Sequence, residues 1–391
     1  MQGTSFGDNG GMTSASYSSA AAEPFEDLRI RGVAKTFGTD TTVLNEIDLD
    51  VHPGELISLV GSSGTGKSTL LRIIAGLEEP SAGRVTYAGQ PLERGSVGVV
   101  FQRPILYPHL SVKDNILFPT RLGAFAGRVD MDYYRELLEA LKLEGLESRK
   151  PSQLSGGQAQ RVGIARALIR RAPVVLFDEP LASVDEQMSA SIRADIVRLH
   201  ERYGFTGLYV THDQNEALML GQRVAVMDSG YLVQVDTPER LLAHPHTLQV
   251  AKLLAAPALN LLALEDSESL PVGCELAIRA TALCPVAADA AHALPVQVLG
   301  SRHLVGGMLY RARLVEAVSL PLESRRASAD SELSARVRAG QELEFFISDA
   351  QGGSLSGTSP NSTFLGAGER VHLGVAAERC FLFSGGKRFY L

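Results

Sequence analysis

The sequence contains few cysteines, no long apolar run and no excess of positive charge. Its 391 residues include only three cysteines, Cys274, Cys284 and Cys380, whose number and spacing suggest neither a disulfide framework nor a zinc site. A reducing, cytoplasmic setting is therefore expected. No stretch approaches about 18 uninterrupted apolar residues, so the sequence predicts no membrane span. The formal net charge of −7 and the scattered Lys and Arg argue against nucleic acid as the main partner.

The N-terminal region also lacks features of a processed leader. No Lys or Arg precedes Arg29 and no long apolar region occurs there, so we expect no signal peptide. Residues 1–24 are rich in Ser, Ala and Gly, which predicts a disordered tail. The whole chain is 45% hydrophobic and 21% charged, as is ordinary for a globular protein with a large core. Its length predicts two or three domains.

Residues 25–255 alternate between short apolar runs and amphipathic helical segments. For example, the run Val174–Phe177 is followed by helical spacing from Ser189 to Arg202 and by a second run, Leu208–Val210. This alternation predicts a mainly parallel sheet flanked by helices. Within it, residues 111–150 have helical spacing among charges, which predicts a helical insertion.

Residues 256–391 have a different pattern. Short segments alternate apolar and polar residues, such as Val296/Val298 and Met308/Tyr310, and turn residues such as Gly306-Gly307 separate them. That pattern predicts an all-β domain, a small barrel.

A phosphate-binding loop follows the apolar run Leu56–Val60. The motif G-x-x-x-x-G-K-[ST] is matched in full, and a helical segment starting at Thr69 follows it. Backbone N–H groups of such a loop cradle a β-phosphate, Lys67 reaches the β- and γ-phosphates, and Ser68 ligates Mg²⁺. A glycine-rich turn before a core helix is the alternative. The predicted nucleotide-binding residues here are Gly61, Ser62, Ser63, Gly64, Thr65, Gly66, Lys67, Ser68 and Thr69.

A second phosphate-facing surface is predicted at residues 154–158. Leu154, Ser155, Gly156, Gly157 and Gln158 precede the apolar-periodic run from residue 162 to residue 168, so they should lie at a helix start. A helix N-terminus has unpaired N–H groups and partial positive charge, which suits an anion. The glycines let the backbone approach a phosphate closely, and the Ser hydroxyl adds a donor.

Polar residues at three strand ends complete the predicted site. Asp178 and Glu179 end the run from Val174, where Asp178 suits Mg²⁺ and Glu179 suits activation of a water. His212 follows the next strand and could contact the γ-phosphate or Glu179. Gln102 follows the run from Val97 and could contact Mg²⁺ and the attacking water. Solvated turns, a structural histidine and a surface glutamine are the alternatives.

An aromatic residue completes the predicted nucleotide contacts. Phe37 lies before the phosphate-binding loop, at the end of an early strand, and could stack on adenine. The competing interpretation is an aromatic residue of the core.

Together these residues closely resemble the ATP-binding cassette (ABC) family over residues 27–255. The resemblance implies an α/β P-loop NTPase fold, with a RecA-like core and a helical subdomain at about 103–155, within a domain that spans residues 25–255. An OB-like all-β domain at 256–391 would follow. The matching motifs occur in the family's order: Phe37 as the adenine-stacking aromatic, 61–68 as Walker A, Gln102 as the Q-loop, 154–158 as the signature sequence, Asp178 and Glu179 as Walker B and catalytic glutamate, 183–185 as the D-loop, and His212 as the switch histidine.

The resemblance also implies the reaction and the partners. ATP would be hydrolysed with Mg²⁺ held by Ser68, Gln102 and Asp178, while Glu179, His212 and Gln102 act in catalysis. Two cassettes would pair head to tail, most simply as a homodimer, so that the signature of one closes over ATP bound to the other. The segment 103–115 and the helices to residue 150 resemble the surface that receives transmembrane permease subunits.

Further segments resemble importers that carry a C-terminal β-barrel extension. These are residues 226–230 and 236–240, followed by 256–260 and 276–279, although Ala280-Thr281 stands where Pro and an acid are typical. Such a subunit lies on the cytoplasmic face of the inner membrane, as a peripheral protein, and an extracytoplasmic solute-binding protein delivers the solute. The alternatives are the ATPase of an exporter, which is often fused to membrane spans, and a soluble clamp, which typically has two cassettes.

Overall fold

The computed structural model describes residues 27–121, 129–265, 270, 273–322, 334–348 and 365–388. The disordered tail predicted at residues 1–24 lies outside these ranges. The strands described up to residue 255 are β1 Leu28–Phe37, β2 Thr41–Val51, β3 Leu56–Val60, β4 Ala82–Tyr87, β5 Gln90–Pro91, β6 Gly98–Val100, β7 Val174–Asp178, β8 Thr206–Thr211, β9 Arg223–Asp228 and β10 Tyr231–Asp236.

Helices connect these strands, and short 3-10 turns cover Phe118–Arg121 and Pro151–Gln153. The α-helices of this part are α1 Lys67–Ile74, α2 Val112–Leu117, α3 Met131–Ala140, α4 Gly156–Leu168, α5 Glu186–Tyr203, α6 Gln214–Leu220, α7 Pro238–Ala243 and α8 Leu248–Leu253. No helix in the described ranges is both long and apolar enough to cross a membrane.

The central sheet has the strand order β10-β9-β3-β8-β7-β6. Strands β3, β6, β7, β8 and β9 are parallel, and only β10 pairs antiparallel. Strands β3 and β8 are buried along their whole length, as expected for strands covered on both faces. The predicted parallel sheet is therefore confirmed, and its parallel strands all end at one edge, where ligands bind in such folds.

An antiparallel sheet of order β2-β1-β4-β5 packs beside the central sheet. The apolar core between them includes Ile30, Leu49, Leu59, Leu70 and Leu176, all at most 4% exposed. Helix α1 begins at Lys67, inside the phosphate-binding loop, and contributes to this core. Its packing on both sheets therefore anchors the end of the loop.

The helical insertion is present as predicted, as α2 and α3 packed against α4. Ser111 caps α2 by accepting a hydrogen bond from Asp114 N–H, and Asp130 caps α3 in the same way through Tyr133 N–H. One apolar cluster joins these helices to the sheet, with Ile116, Leu137 and Ile164 fully buried in it.

The C-terminal part is all-β, as predicted, and its described strands form three sheets, of order β11-β12-β20-β21, β13-β19-β14-β15-β18 and β16-β17. They share one apolar core, consistent with an OB-like domain. The hairpin β14–β15 turns at Val305-Gly306, one residue before the predicted Gly306-Gly307, and Gly307 begins β15 by pairing with Leu304. None of the three cysteines forms a disulfide. The strands are β11 Leu259–Ala263, β12 Glu275–Arg279, β13 Cys284–Val286, β14 Leu294–Leu304, β15 Gly307–Leu314, β16 Val318–Pro321, β17 Ser334–Val337, β18 Glu342–Ser348, β19 Arg370–Gly374, β20 Cys380–Ser384 and β21 Lys387–Arg388.

Candidate functional site

The phosphate-binding loop connects β3 to α1 and requires glycine at two positions. Gly66 has φ +98°, and a Cβ there would lie 2.7 Å from Leu44 Cδ2 and 2.8 Å from Val43 O. A Cβ at Gly61 would lie 2.3 Å from Met227 O. At both positions the backbone lies against neighbouring residues that leave no room for a side chain, so only glycine fits.

Lys67 is the first residue of α1 and is only 5% exposed. Its Nζ donates hydrogen bonds to Gly61 O at 2.8 Å and Ser62 O at 2.9 Å. Burial lowers the pKa of the Lys67 ammonium, and the nearby carboxylates of Glu179 and Asp178 act in the opposite direction. The loop thus wraps around an ammonium group whose attraction for an anion is little screened by water.

Ser68 and Asp178 bring two oxygen atoms together across the sheet edge. Ser68 Oγ donates a hydrogen bond to Asp178 Oδ1 at 3.1 Å. Burial raises the pKa of the Asp178 carboxyl; its hydrogen bond with Ser68 lowers it, and the charge of Glu179 raises it further. A partly buried carboxylate gains from a cation beside it, and a hydroxyl with a carboxylate oxygen is a hard donor set, so these two residues fit Mg²⁺.

Glu179 follows β7 in a left-handed backbone conformation, with φ +44°. Its N–H donates to Val210 O on β8 at 2.9 Å, which fixes this turn to the neighbouring strand. Its Oε2 lies 3.2 Å from His212 Nδ1, and the imidazole is 59% exposed while the carboxylate is 22% exposed. A non-glycine residue held at positive φ is uncommon and is often found at functional sites.

Gln102 lies two residues after the end of β6 and is exposed, and the backbone of residues 101–105 is hydrogen-bonded to two other elements. Gln102 O accepts a hydrogen bond from Ser183 Oγ at 2.9 Å, and Phe101 O accepts one from Gln160 Nε2 on α4 at 3.2 Å. Further along, Ile105 O accepts one from Arg166 Nη1 at 2.6 Å. The segment after β6 is thereby linked to α4 and to the turn after Glu179.

Residues 154–158 form the start of α4, as predicted. Ser155 is the N-cap: its Oγ accepts from Gln158 N–H at 3.2 Å, and Gln158 Oε1 accepts from Ser155 N–H at 3.0 Å. The Ser155 hydroxyl hydrogen remains available, as do the amides of the next two glycines, and Ser155 and Gly156 are exposed. Among the described residues, no hydrogen bond joins residues 154–158 to the phosphate-binding loop.

The remaining predicted nucleotide contacts are Phe37 and Thr69. Phe37 ends β1 with 43% of its surface exposed, so it is not the core aromatic of the competing interpretation. Lys35 Nζ lies 4.9 Å from the centre of its ring. Thr69 lies half-buried in the first turn of α1.

Two buried acids, one of them beside the candidate site, were not predicted from the sequence. Glu216 Oε2 accepts from Thr211 Oγ at 2.8 Å and from Tyr209 OH at 3.2 Å, directly behind His212. Its signal in the sequence is its position three residues after Asp213, which caps α6. The second is Asp195, fully buried on α5 with its Oδ2 2.8 Å from Arg161 Nη2 on α4. Its signal is a charge at an apolar-periodic position of a helix.

The chain matches the ABC transporter family model over residues 44–182. It is 45% identical over 241 residues to the sn-glycerol-3-phosphate import ATP-binding protein UgpC 1 of Rhizobium johnstonii. This alignment covers 60% of this chain and 65% of that protein. UgpC of Yersinia enterocolitica is 45% identical over 243 residues, with 60% and 67% covered. For UgpC of Escherichia coli O1:K1 the identity is 42% over 243 residues, with 60% and 68% covered. The chain thus spans about two thirds of the length of these relatives, and slightly less for the first.

The structure is also similar to that of cbiO1 from Clostridium perfringens, which is part of the ABC transporter complex cbiONQ. The TM-score is 0.50 at 27% identity, and the match covers 56% of this chain and 91% of that one. The similarity confirms the cassette fold of the N-terminal part. The chain has this fold, matches the family model and is similar to import ATP-binding proteins. It therefore belongs to the family of ABC transporter ATP-binding proteins.

Proposed function

We propose that this chain is the ATP-hydrolysing subunit of a bacterial importer. The observation that carries the proposal is the convergence of Lys67, Ser68, Asp178, Glu179 and His212 at one edge of the central sheet. In this arrangement a cation, two hard oxygen ligands and a carboxylate–imidazole pair face one space. That set suits transfer of a phosphoryl group from ATP to water.

The loop amides and Lys67 would bind the β- and γ-phosphates of ATP. Ser68 and Asp178, together with Gln102, would hold Mg²⁺, which supplies charge neutralisation on the phosphate oxygens when bound. Phe37, exposed at the end of β1, would stack on the adenine.

Glu179 would accept the proton of the attacking water. Because a carboxylate only accepts hydrogen bonds, His212 Nδ1 donates to Glu179 in this pair. In the charged imidazolium both ring nitrogens donate, so Nε2 could donate to the γ-phosphate while Nδ1 holds the base. His212 thereby couples the position of the base to the presence of the γ-phosphate.

Residues 154–158 would complete the site of a second cassette subunit, most simply a second copy of this chain. The exposed start of α4, capped by Ser155, supports this arrangement. We also propose that residues 25–255 form the cassette and 256–391 the second domain. Transmembrane permease subunits would dock on the segment after Gln102 and the helices to residue 150, at the cytoplasmic face of the inner membrane.

The names of the relatives favour an importer over an exporter or a non-transport clamp. The test is to purify the tagged chain from membranes and identify the proteins that accompany it by mass spectrometry. A multi-span permease and an extracytoplasmic solute-binding protein are expected, together with ATPase activity that the binding protein stimulates. Recovery of ribosomes or DNA, or of the chain alone without ATPase activity, would contradict the proposal.

A further inference from the structure

The backbone turn that carries His212 is closed by a side chain. Thr211 is the last residue of β8 and is buried, and its Oγ accepts a hydrogen bond from Asp213 N–H at 3.0 Å. A threonine hydroxyl that accepts from the amide two residues on forms a side-chain turn. His212 is the residue between the two, so one hydroxyl oxygen fixes the backbone on both sides of the imidazole.

The direction of that hydroxyl depends on Glu216 of α6. A threonine hydroxyl has one hydrogen, and Thr211 uses it to donate to Glu216 Oε2 at 2.8 Å. The lone pairs of the Thr211 oxygen are then left to face Asp213 N–H. Glu216 is itself buried, and Tyr209 OH donates to the same Oε2 at 3.2 Å, so the acceptor is held by two hydroxyl groups of β8.

Asp213 connects this turn back to α6. Its N–H bonds to Thr211, and its Oδ1 caps the helix by accepting a hydrogen bond from Glu216 N–H at 3.1 Å. A closed ring of hydrogen bonds therefore runs from Glu216 to Thr211, on to Asp213 and back to Glu216. His212 lies within this ring of residues, and its Nδ1 points outward to Glu179 Oε2 at 3.2 Å.

We propose that Glu216 and Thr211 are positioning residues that hold His212 in place and, through it, Glu179. The inference rests on the proposed function, in which Glu179 accepts the proton of the attacking water. Both side chains are buried and bonded to each other, so they act through the turn and not by contact with ATP. Loss of the turn should therefore slow hydrolysis while the phosphate-binding loop still binds the nucleotide.

The first test compares the kinetics of two variants at Thr211. Thr211→Val keeps the shape of the side chain but removes the hydroxyl, so kcat for ATP hydrolysis should fall by about 10–100-fold, as expected when a reacting group is slightly misplaced. Its KM for ATP should stay within about twofold, because the interactions that bind the nucleotide are intact. Thr211→Ser retains the hydroxyl and should keep kcat within about threefold of the natural value.

Tyr209→Phe is the matched control. It also removes a buried hydroxyl that donates to Glu216 Oε2, but this hydroxyl is not part of the ring that encloses His212, so kcat should equal that of the natural chain. A second pair of variants tests the acceptor. Glu216→Gln keeps an oxygen for Thr211 and should retain most of kcat, whereas Glu216→Met has a similar length without that oxygen and should behave as Thr211→Val does. If Glu216→Met folds poorly, the Thr211 pair carries the test.

A nuclear magnetic resonance measurement without nucleotide separates this proposal from the proposed function. In the full chain labelled with ¹⁵N-histidine, the signals of His212 are identified by their loss in His212→Gln. Thr211→Val should move the His212 Nδ1 signal to its position in Glu179→Ala, while Tyr209→Phe should leave it unchanged. A natural chain that shows these shifts but hydrolyses no ATP would contradict the proposed function alone. An unmoved His212 signal in Thr211→Val, or equal losses of kcat in Thr211→Val and Tyr209→Phe, would overturn the positioning role.

Discussion

The imidazole Nδ1 of His212 lies 3.2 Å from Oε2 of Glu179, so the ends of two adjacent parallel strands form one hydrogen-bonded pair. Glu179 N–H is bonded to Val210 O, two residues before His212, and this bond holds the two strand ends in register. In the proposed mechanism Glu179 is the proton acceptor, and this hydrogen bond would let His212 orient it. The pair would then link nucleotide binding to the position of the base.

Replacing Glu179 with Gln should remove the base while preserving the shape of the site. We expect kcat for ATP hydrolysis to fall by about 10²–10⁴-fold, because a neutral amide cannot accept the proton of water. ATP binding should be retained, and the variant should form a stable dimer in ATP that size-exclusion chromatography detects. The matched control is Glu186→Gln, an exposed residue whose partner is Arg193 at 3.1 Å. Undiminished ATPase activity in Glu179→Gln, or a variant that remains monomeric in ATP, would contradict the proposed roles.

The buried Glu216 predicts a pH dependence of stability. Burial raises the pKa of its carboxyl above the ordinary value of 4.5; hydrogen bonds from Thr211 and Tyr209 and the charge of Arg193 lower it, and Asp213 raises it. The folded state then holds the proton more tightly than the unfolded state. Stability is therefore highest below pH 4.5 as far as this group is concerned, and it falls as pH rises through the raised pKa.

Glu216→Gln should remove this contribution, because the amide does not ionise yet still offers an oxygen to Thr211 and Tyr209. As pH rises above 4.5, we expect the free energy of unfolding of the variant to increase relative to that of the natural chain. Urea unfolding at several pH values measures the difference. A difference in the free energy of unfolding that stays constant with pH would show that ionisation of Glu216 does not destabilise the folded state.

Much of the site was predictable because its residues are fixed by local sequence. The loop at 61–68 and the polar ends of β7 and β8 follow from a motif and from apolar runs that must be buried strands. The partners of Asp195 and Arg279 could not be predicted in this way. Arg161 lies 34 positions from Asp195, and Leu242 lies 37 from Arg279, so only the packing of α4 on α5 and of α7 on β12 brings them together.

The Ser155 hydroxyl shows a subtler limit. The sequence predicts a hydroxyl donor at a helix start, and the structure shows that its oxygen is already the acceptor of the N-cap bond with Gln158. Only its hydrogen is left for an anion. A motif specifies which atoms are near a helix end, but the competition between capping and ligand binding is decided by the local geometry.

Breaking the buried ion pair of Asp195 and Arg161 should strongly lower the free energy of unfolding. Asp195 is fully buried, and its carboxylate also contacts Arg198 and lies 3.5 Å from Lys142 Nζ. Asp195→Ala leaves Arg161 buried without a counter-charge, so we expect a loss of about 3–5 kcal/mol in the free energy of unfolding. Asp132→Ala breaks an exposed pair with Arg135 and should cost under about 1 kcal/mol.

The double variant Arg161→Met with Asp195→Leu provides the second half of this test. It removes both charges and should recover most of the stability that Asp195→Ala loses, because no buried charge is left unpaired. Urea unfolding curves supply all three values. A double variant as unstable as Asp195→Ala would mean that packing, and not the unpaired charge, causes the loss.

Gly66 tests whether the shape of the phosphate-binding loop is required for binding. In Gly66→Ala, the new Cβ would meet Val43 O at 2.8 Å and Leu44 Cδ2 at 2.7 Å in a backbone with φ +98°. The matched control is Gly95→Ala, which has φ +82° but no atom within 4 Å of the place where its Cβ would lie. Both variants bear a backbone cost of about 1 kcal/mol, and only Gly66→Ala must also displace its neighbours. We therefore expect Gly66→Ala to lose ATP binding by at least about tenfold in a fluorescent-nucleotide titration, while Gly95→Ala binds normally. The two substitutions share the type of backbone strain and differ only in the steric clash. Equal nucleotide binding by both variants would therefore show that the loop can shift to relieve the clash. The tight fit of Gly66 against β2 would then not be required for nucleotide binding.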